Sequence, residues 1–260
     1  MRLLRCGDNG KLSLTDDLHG ADIPPYAILS HTWGPEADEV TFKDFADGVA
    51  DKKEVGYRKL EFCAEQAKRN GIDYCWVDTC CIKRADAAEL QASINLMFQW
   101  YSNSARCFVY LADVSTSDGL SQDGDESQVS WISAFKGSRW FKRGWTLQEL
   151  LAPTSVEFFS NEGNLLGDKE SLEPEIHNIT KIPTSALRKE TPFGQFGVDE
   201  RMRWAVDRQT TREEDMAYCL LGIFGVFMPL LYGEGKGNAM QRLKEGINNN
   251  PKRQSPSLFP

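Results

Sequence analysis

The run Tyr26-Ala-Ile-Leu-Ser30, which continues into His31-Thr-Trp-Gly34, decides the fold. It follows Pro24-Pro25, and its apolar residues come in unbroken succession rather than at helical spacing. A short apolar run that begins at such a break predicts a buried strand. The residues directly after it are polar or aromatic, so the strand ends in side chains that could bind a ligand.

Strand-like and helix-like segments alternate downstream of this run. The spacing of Leu60, Cys63, Ala64 and Ala67 predicts a helix that Asn70-Gly71 ends. Asp73–Asp78 is the second predicted strand and Arg106–Ala112 the third. Between them lies a predicted helix, which begins at a capping pair formed by Asp86 and Glu89. This alternation predicts an α/β fold with a mostly parallel sheet and crossover helices.

The second half of the chain carries one more strand pattern and then mainly helical ones. Val156–Phe159 is the fourth predicted strand, after a Ser/Asp/Gly-rich loop over Asp113–Ser130 and a short helix from Thr146. Thr211 with Glu214 forms another predicted capping pair. We therefore divide the chain into an extension (1–25), an α/β core (26–160), a mainly helical part of the same domain (161–247) and a tail or linker (248–260).

Composition limits the classes of partner. The net charge of −8 repels phosphate backbones and anionic lipid, and no basic block with interleaved aromatic residues offsets it, so we expect neither nucleic-acid nor membrane binding. No stretch reaches the roughly 20 apolar residues of a membrane span, and the N-terminus lacks the apolar region of a secretory signal. Seven cysteines without a disulfide spacing predict reduced thiols and a cytoplasmic location.

Three segments carry residues that a hydrophobic core does not need. The first holds Ser30, His31, Trp33 and Gly34 at the carboxyl end of the first strand, which is where ligands bind in open α/β sheets. These residues offer hydrogen-bond donors, an acceptor and a stacking plane. The alternative is an ordinary strand end with one tryptophan packed as a lid.

The second segment is Trp76-Val-Asp-Thr-Cys-Cys-Ile82. Asp78 follows a strand and could hold a ribose hydroxyl or an arginine, or it could simply cap the next turn. Cys75, Cys80 and Cys81 fit no zinc spacing, so we expect buried thiols and no metal site.

The third segment is Ser138-Arg-Trp-Phe-Lys-Arg-Gly-Trp-Thr-Leu-Gln-Glu-Leu150. Trp145 and Glu149 are four positions apart and so share one face of a helical turn, with Gln148 beside them and Arg143 ahead of them. An indole, an amide, a carboxylate and the two guanidiniums of Arg139 and Arg143 could bind an anionic ligand that carries an aromatic group. The alternative is a solvated Arg–Glu pair beside core tryptophans.

Together these segments resemble the fungal heterokaryon-incompatibility (HET) domain, a cell-death module. The resemblance rests on five motifs in the family's order, from about Tyr26 to Ile247: Tyr26–Gly34, Trp76–Ile82, Arg143–Glu149, Gln209–Asp215 and Met228–Gly235. One departure is that Lys83 and Arg84 follow Cys-Ile, where the family usually carries Asp or Asn, so no role is transferred to that loop.

A weaker resemblance links Trp145-Thr-Leu-Gln-Glu-Leu150 and the strand–helix order to TIR domains, which have a flavodoxin-like fold. In those domains a Trp-Cys-Leu-x-Glu-Leu stretch supplies the glutamate of an NAD⁺ glycohydrolase, and Thr146 stands here in place of the Cys. The resemblance implies a catalytic role for Glu149. A carboxylate beside the ribose can stabilise the oxocarbenium-like charge that forms as nicotinamide leaves.

These resemblances imply a cell-death effector of non-self recognition that cleaves NAD⁺, as substrate and without a further cofactor, once it self-associates. They implicate Ser30, His31, Trp33, Gly34, Asp78, Arg143, Trp145 and Gln148 in binding NAD⁺ or a related nucleotide. We also expect a homo-oligomer on activation and a nucleotide-binding regulator in cis or in trans. The alternative function is a non-enzymatic interaction module that signals through oligomerisation.

Overall fold

A sheet of seven strands organises the part of the protein that the structure describes. The computed structural model describes residues 1–7, 10–117 and 127–249, and parts of the predicted loop over Asp113–Ser130 and of the predicted tail lie outside this range. The strands are β1 (Leu4–Cys6), β2 (Leu12–Leu14), β3 (Tyr26–His31), β4 (Tyr74–Trp76), β5 (Arg106–Tyr110), β6 (Val156–Phe159) and β7 (Leu165–Asp168). Their order across the sheet is β2-β1-β4-β3-β5-β6-β7.

The four central strands are the four that the sequence predicts, and they are parallel. Tyr26 pairs with Tyr74, Ile28 with Cys107, and Val109 with Phe158. Their order, β4-β3-β5-β6, is the one with which flavodoxin-like sheets begin. The outer pairs β1–β2, β1–β4 and β6–β7 are antiparallel, so the sheet is mixed, with a parallel centre. The α/β class with a mostly parallel sheet is confirmed.

The strands at one edge come from residues that the sequence analysis places in an extension ahead of the sheet. Leu4 of β1 pairs with both Leu14 and Cys75, and its side chain is fully buried, as is that of Leu3. The hairpin therefore belongs to the core sheet. Strands of three residues, separated by polar turn residues, are too short to show a period of two, which is why the sequence pattern misses them.

Helices cover both faces of the sheet and make up most of the C-terminal half, as predicted. They are α1 (Phe42–Ala46), α2 (Glu54–Arg69), α3 (Ala87–Asn103), α4 (Ser127–Gly137), α5 (Thr146–Leu151), α6 (Glu173–Thr180), α7 (Thr184–Leu187), α8 (Val198–Arg203), α9 (Asp215–Tyr218), α10 (Leu221–Phe224) and α11 (Gly235–Asn248). Four short 3₁₀ segments, Gly20–Asp22, Ala50–Lys52, Arg139–Lys142 and Phe193–Gln195, join them. Within the described residues, no helix combines the length and apolarity that a membrane crossing requires.

Neighbouring residues of β6 show how the two faces are covered. Phe159 contacts Phe62 of α2, with the ring centroids 5.1 Å apart. Phe158 packs against Trp140, at 5.6 Å, in the layer that also contains α5. Because successive strand residues point to opposite faces, α2 lies on one side of the sheet, and Trp140 and α5 lie on the other.

The two predicted capping pairs have different outcomes. The Asp86 carboxylate accepts hydrogen bonds from the backbone N–H groups of Ala88 and Glu89, so it caps α3 as predicted. The pairing of Thr211 with Glu214 is wrong, because α9 begins at Asp215 without a side-chain cap. The Glu214 carboxylate instead accepts from the N–H groups of Gly233 and Gly235, since the turn before α11 presents these donors to it.

A close approach between α10 and α3 gives the first prediction. A Cβ added at Gly222 would lie 2.0 Å from the Cβ of Phe98, so the two helices would have to separate. We expect Gly222→Ala to lower the free energy of unfolding by about 1–3 kcal/mol in urea titrations. Gly237→Ala, at a position in α11 where an added Cβ would meet no neighbouring group within 4 Å, is the control, and it should be neutral or mildly stabilising. Equal effects of the two variants would contradict the close packing.

Candidate functional site

A cleft of about 630 Å³ lies at the carboxyl ends of the central strands. Its walls include seven of the predicted site residues: His31, Trp33, Gly34, Asp78, Arg143, Trp145 and Glu149. Glu36, Arg84, Thr211, Arg212, Asp215 and Tyr232 also line it. A second cavity, of about 410 Å³ between β2 and α1, contains none of the predicted residues.

The topology explains why residues so distant in sequence meet here. Strands β3 and β4 are parallel neighbours, so Trp33 and Asp78, which follow them, leave the sheet at the same edge. Strand β3 also has β5 on its other side, which makes its carboxyl end the point where the strand order reverses. Such switch points open a crevice in α/β sheets. Helix α5 then brings Glu149 over the end of β3.

Glu149 is the buried carboxyl group of the cleft, with 6% of its surface exposed. Ser30 donates a hydrogen bond from Oγ to Glu149 Oε2, and Trp140 Nε1 donates to Ser30 Oγ at 2.7 Å. Burial raises the pKa of Glu149 to about 8, and Asp78 adds to this effect, while Ser30 and Arg143 oppose it. At neutral pH the carboxyl is therefore mostly protonated, and a cation in the cleft would favour its ionised form.

Trp33 forms an aromatic wall between charged groups. Its Nε1 donates to Asp78 Oδ2 at 3.1 Å. The guanidinium carbon of Arg84 lies 4.2 Å from the centroid of its ring, and that of Arg143 lies 5.9 Å away. Arg84 also lies 3.4 Å from Asp78. The loop in which this sequence departs from the family pattern thus contributes a cation to the cleft.

Two buried polar groups at the cleft have unused hydrogen-bonding capacity. Within the described part of the chain, neither ring nitrogen of His31 has a hydrogen-bond partner, and neither does Asp78 Oδ1. The nearest acidic atom to His31 Nε2 is Glu39 Oε2, at 3.6 Å, which is too long for a hydrogen bond. Buried polar groups without partners are costly, so a polar ligand in the cleft would stabilise both.

A buried ion pair anchors the loop that carries Trp33. Lys59 Nζ donates to Glu39 Oε1 at 2.5 Å, and the Gly34 N–H donates to the same oxygen at 2.6 Å. Burial alone would raise the pKa of Glu39, but His31, Lys59 and the Gly34 N–H outweigh it and lower that pKa to about 2. The carboxylate is therefore ionised at physiological pH and ties the loop after β3 to α2.

The C-terminal half supplies another wall of the cleft. Trp145 Nε1 donates to Asp215 Oδ2 at 3.1 Å, and the Tyr232 hydroxyl donates to Asp215 Oδ1 at 2.9 Å. The guanidinium carbon of Arg212 lies 4.1 Å from the centroid of the Tyr232 ring. Burial raises the pKa of Asp215, although the two hydrogen bonds and Arg212 oppose the shift.

Two of the predicted residues do not line the cleft. Ser30 reaches it only through Glu149, and Gln148 is buried beside Glu149 with its Nε2 unpaired among the described residues. Successive residues of a helix point about 100° apart, so Gln148 cannot share the orientation of Glu149. The cysteines Cys75, Cys80 and Cys81 are buried in the core, and burial raises the pKa of the Cys80 thiol.

Five further residues of the site are not predicted from the sequence: Arg84, Glu39, Arg212, Asp215 and Tyr232. The available signal for Arg212, Asp215 and Tyr232 is their position inside the stretches Gln209–Asp215 and Met228–Gly235, which carry the family resemblance. Glu39 and Arg84 have no such signal, because both are ordinary charged residues of loops. Only the folding of those loops onto Trp33 gives them a place in the site.

Residues 26–128 match the family described as heterokaryon incompatibility protein (HET). The chain contains a HET domain. It is also 56% identical over 247 residues to vegetative incompatibility protein HET-E-1 of Podospora anserina, an alignment that covers 95% of this chain and 18% of that protein. No solved structure matches the chain, so the likeness of the HET domain to TIR domains stays a prediction.

Proposed function

We propose that this HET domain hydrolyses NAD⁺ at the bond between nicotinamide and ribose. The observation that carries the proposal is the buried Glu149 carboxyl at a cleft that also holds Arg84, Arg143 and Trp33. A simple anion would not favour a cleft with so many carboxyl groups, and a simple cation would not favour its guanidiniums. A ligand with phosphates, ribose hydroxyls and a cationic ring matches both sets of charges.

The residues act on the two halves of the reaction in different ways. When the C1′–N1 bond breaks, its electron pair goes to the pyridinium nitrogen, nicotinamide leaves neutral, and positive charge develops on the ribose. The Glu149 carboxylate stabilises that charge, and Ser30 and Trp140 hold its oxygen in place. Water then adds to C1′ and releases a proton, which gives ADP-ribose. Trp33 and Arg143 position the substrate.

The raised pKa of Glu149 fits this role. A carboxyl that is protonated in the free protein becomes ionised when the cationic nicotinamide ring approaches, because an opposite charge favours the ionised form. The buried carboxylate then has little water to screen its interaction with the developing charge. The unfavourable free energy of burying this carboxyl group is therefore offset only when substrate is bound.

The biological role follows from the relative. Since HET-E-1 is named as a vegetative incompatibility protein, we propose that this HET domain is the effector of a non-self recognition response that ends in cell death. Loss of NAD⁺ would kill the cell. Activation by self-association, under a nucleotide-binding regulator, remains part of the proposal.

The test is to incubate concentrated protein with NAD⁺ and to measure free nicotinamide over a range of pH. We expect kcat/KM to rise with pH through about 8, because the free protein must lose the Glu149 proton for the carboxylate to act. Arg143 lowers the pKa of Glu149, so Arg143→Gln should move this rise to higher pH. Absence of nicotinamide at every pH and protein concentration would refute the proposal.

A further inference from the structure

Two family-like stretches, Gln209–Asp215 and Met228–Gly235, take no part in the bond cleavage proposed above. Nevertheless, Thr211, Arg212, Asp215 and Tyr232 line the same cleft as Glu149. Their presence there requires an explanation other than catalysis, because the charge on the ribose develops beside Glu149. The geometry of this wall indicates what it binds.

The wall is rigid because Asp215 is bonded on both of its oxygens. Trp145 holds one oxygen at 3.1 Å and Tyr232 holds the other at 2.9 Å. Thr210 Oγ1 donates to the carbonyl of Arg212 at 2.6 Å, which fixes the backbone at the arginine. The Tyr232 ring is thereby held in position, and Arg212 packs on it.

The Arg212 guanidinium supplies positive charge to this wall. It stacks 4.1 Å from the Tyr232 ring centroid, and among residues 1–7, 10–117 and 127–249 it forms no ion pair within 4 Å. Asp215, the acidic neighbour, already uses both oxygens on other donors. A guanidinium that lies on an aromatic ring with its N–H groups unused is suited to bind a phosphate.

We propose that Arg212, Tyr232 and Asp215 form a subsite for the adenylate half of the dinucleotide, with Arg212 on its phosphate. The inference rests on the proposed function, which places the nicotinamide ribose at Glu149. The other half of NAD⁺ must then lie elsewhere in the cleft, and this wall is a part of it to which catalysis assigns no role. The subsite makes the cleft selective for dinucleotides over nicotinamide mononucleotide.

The test is a binding measurement that does not depend on turnover. ADP-ribose, AMP and nicotinamide mononucleotide are titrated by calorimetry into wild type, Arg212→Ala and Tyr232→Phe. Arg212→Ala should weaken the binding of ADP-ribose and of AMP about tenfold or more. It should weaken the binding of nicotinamide mononucleotide less than about twofold, because only the first two ligands reach Arg212. Lys236→Ala, which removes an exposed cation of the same region outside the cleft, is the control and should leave all three affinities unchanged.

Tyr232→Phe keeps the ring under Arg212 but removes the hydrogen bond to Asp215, so it should weaken the binding of ADP-ribose by a smaller factor than Arg212→Ala does. Thermal melting confirms that each variant is folded. Equal loss of ADP-ribose and mononucleotide affinity in Arg212→Ala, or no loss of either, would overturn the subsite.

Nicotinamide release separates the subsite from the proposed function. Suppose that wild type releases nicotinamide, but that Arg212→Ala leaves the ratio of the KM for NAD⁺ to the KM for nicotinamide mononucleotide unchanged. This result would refute the subsite and leave the hydrolase. Arg212-dependent binding of ADP-ribose without any release of nicotinamide would refute the hydrolase and leave the subsite. No binding of any of the three nucleotides by folded wild type would refute both.

Discussion

Glu149→Gln is expected to lower the rate of NAD⁺ hydrolysis by about 10²–10³ and to abolish cell killing. The substitution keeps the size of the side chain and an oxygen that can accept from Ser30, but it removes the negative charge that faces the developing cation. The measurements are nicotinamide release in vitro and cellular NAD⁺ in a killing assay. Glu175→Gln, at a half-buried position of α6 outside the cleft, is the matched control and should behave as wild type.

The same substitution should stabilise the fold, with a definite dependence on pH. The pKa of Glu149 is about 8 in the folded protein and about 4.5 when unfolded, so the folded state binds the proton more tightly. Stability therefore falls as pH rises from about 4.5 to 8. Because Gln carries no charge, Glu149→Gln should exceed wild type in free energy of unfolding by an amount that grows over this range, to the order of a few kcal/mol.

Together the two measurements separate a catalytic from a structural carboxyl. The gain in stability follows from removing a buried charge whatever Glu149 does, so it shows that the variant is folded, and the loss of nicotinamide release by that folded variant marks the catalytic carboxyl. Full toxicity of a folded Glu149→Gln protein, with cellular NAD⁺ unchanged, would instead favour the interaction module. Loss of killing without any change in NAD⁺ would point to the same module, with Glu149 at an assembly surface.

Lys59→Met is expected to lower the free energy of unfolding by about 3–5 kcal/mol, because it leaves the Glu39 carboxylate buried without its cation. The loop that carries Trp33 and Gly34 would lose its anchor at the same time. Urea titration gives the stability, and Lys68→Met, at an exposed position of the same helix, is the control. The double variant Glu39→Gln/Lys59→Met should recover much of the loss, since neither charge remains.

The pH dependence has the opposite sign from that of Glu149. The pKa of Glu39 is about 2 in the folded protein, below its usual value of about 4.5. Its contribution to stability is therefore present above pH 4.5 and is lost as pH falls towards 2. The difference between wild type and Lys59→Met should shrink over that range. A difference that stays constant with pH would contradict the ion pair.

The local sequence determines the parallel centre of the sheet. A short apolar run such as Tyr26–Leu29 buries every side chain when it forms a central strand covered by helices on both faces, and the alternation of such runs with helical periods sets the class. The same runs locate the candidate site, because the residues that follow parallel strands leave the sheet at one edge. Trp33 and Asp78 could therefore be placed together from the sequence.

Tertiary structure alone decides the electrostatics of the site. The pKa of Glu149 depends on its burial, on the charges of Asp78 and Arg143 and on its hydrogen bond with Ser30, which lies 119 positions away along the chain. The roles of Arg84 and Glu39 depend on loops with no regular pattern. The edge hairpin, Leu4–Leu14, is likewise held by its pairing with Tyr74 and Cys75. A sequence period records which face of an element is buried, but charges and short strands acquire their partners only when distant segments meet.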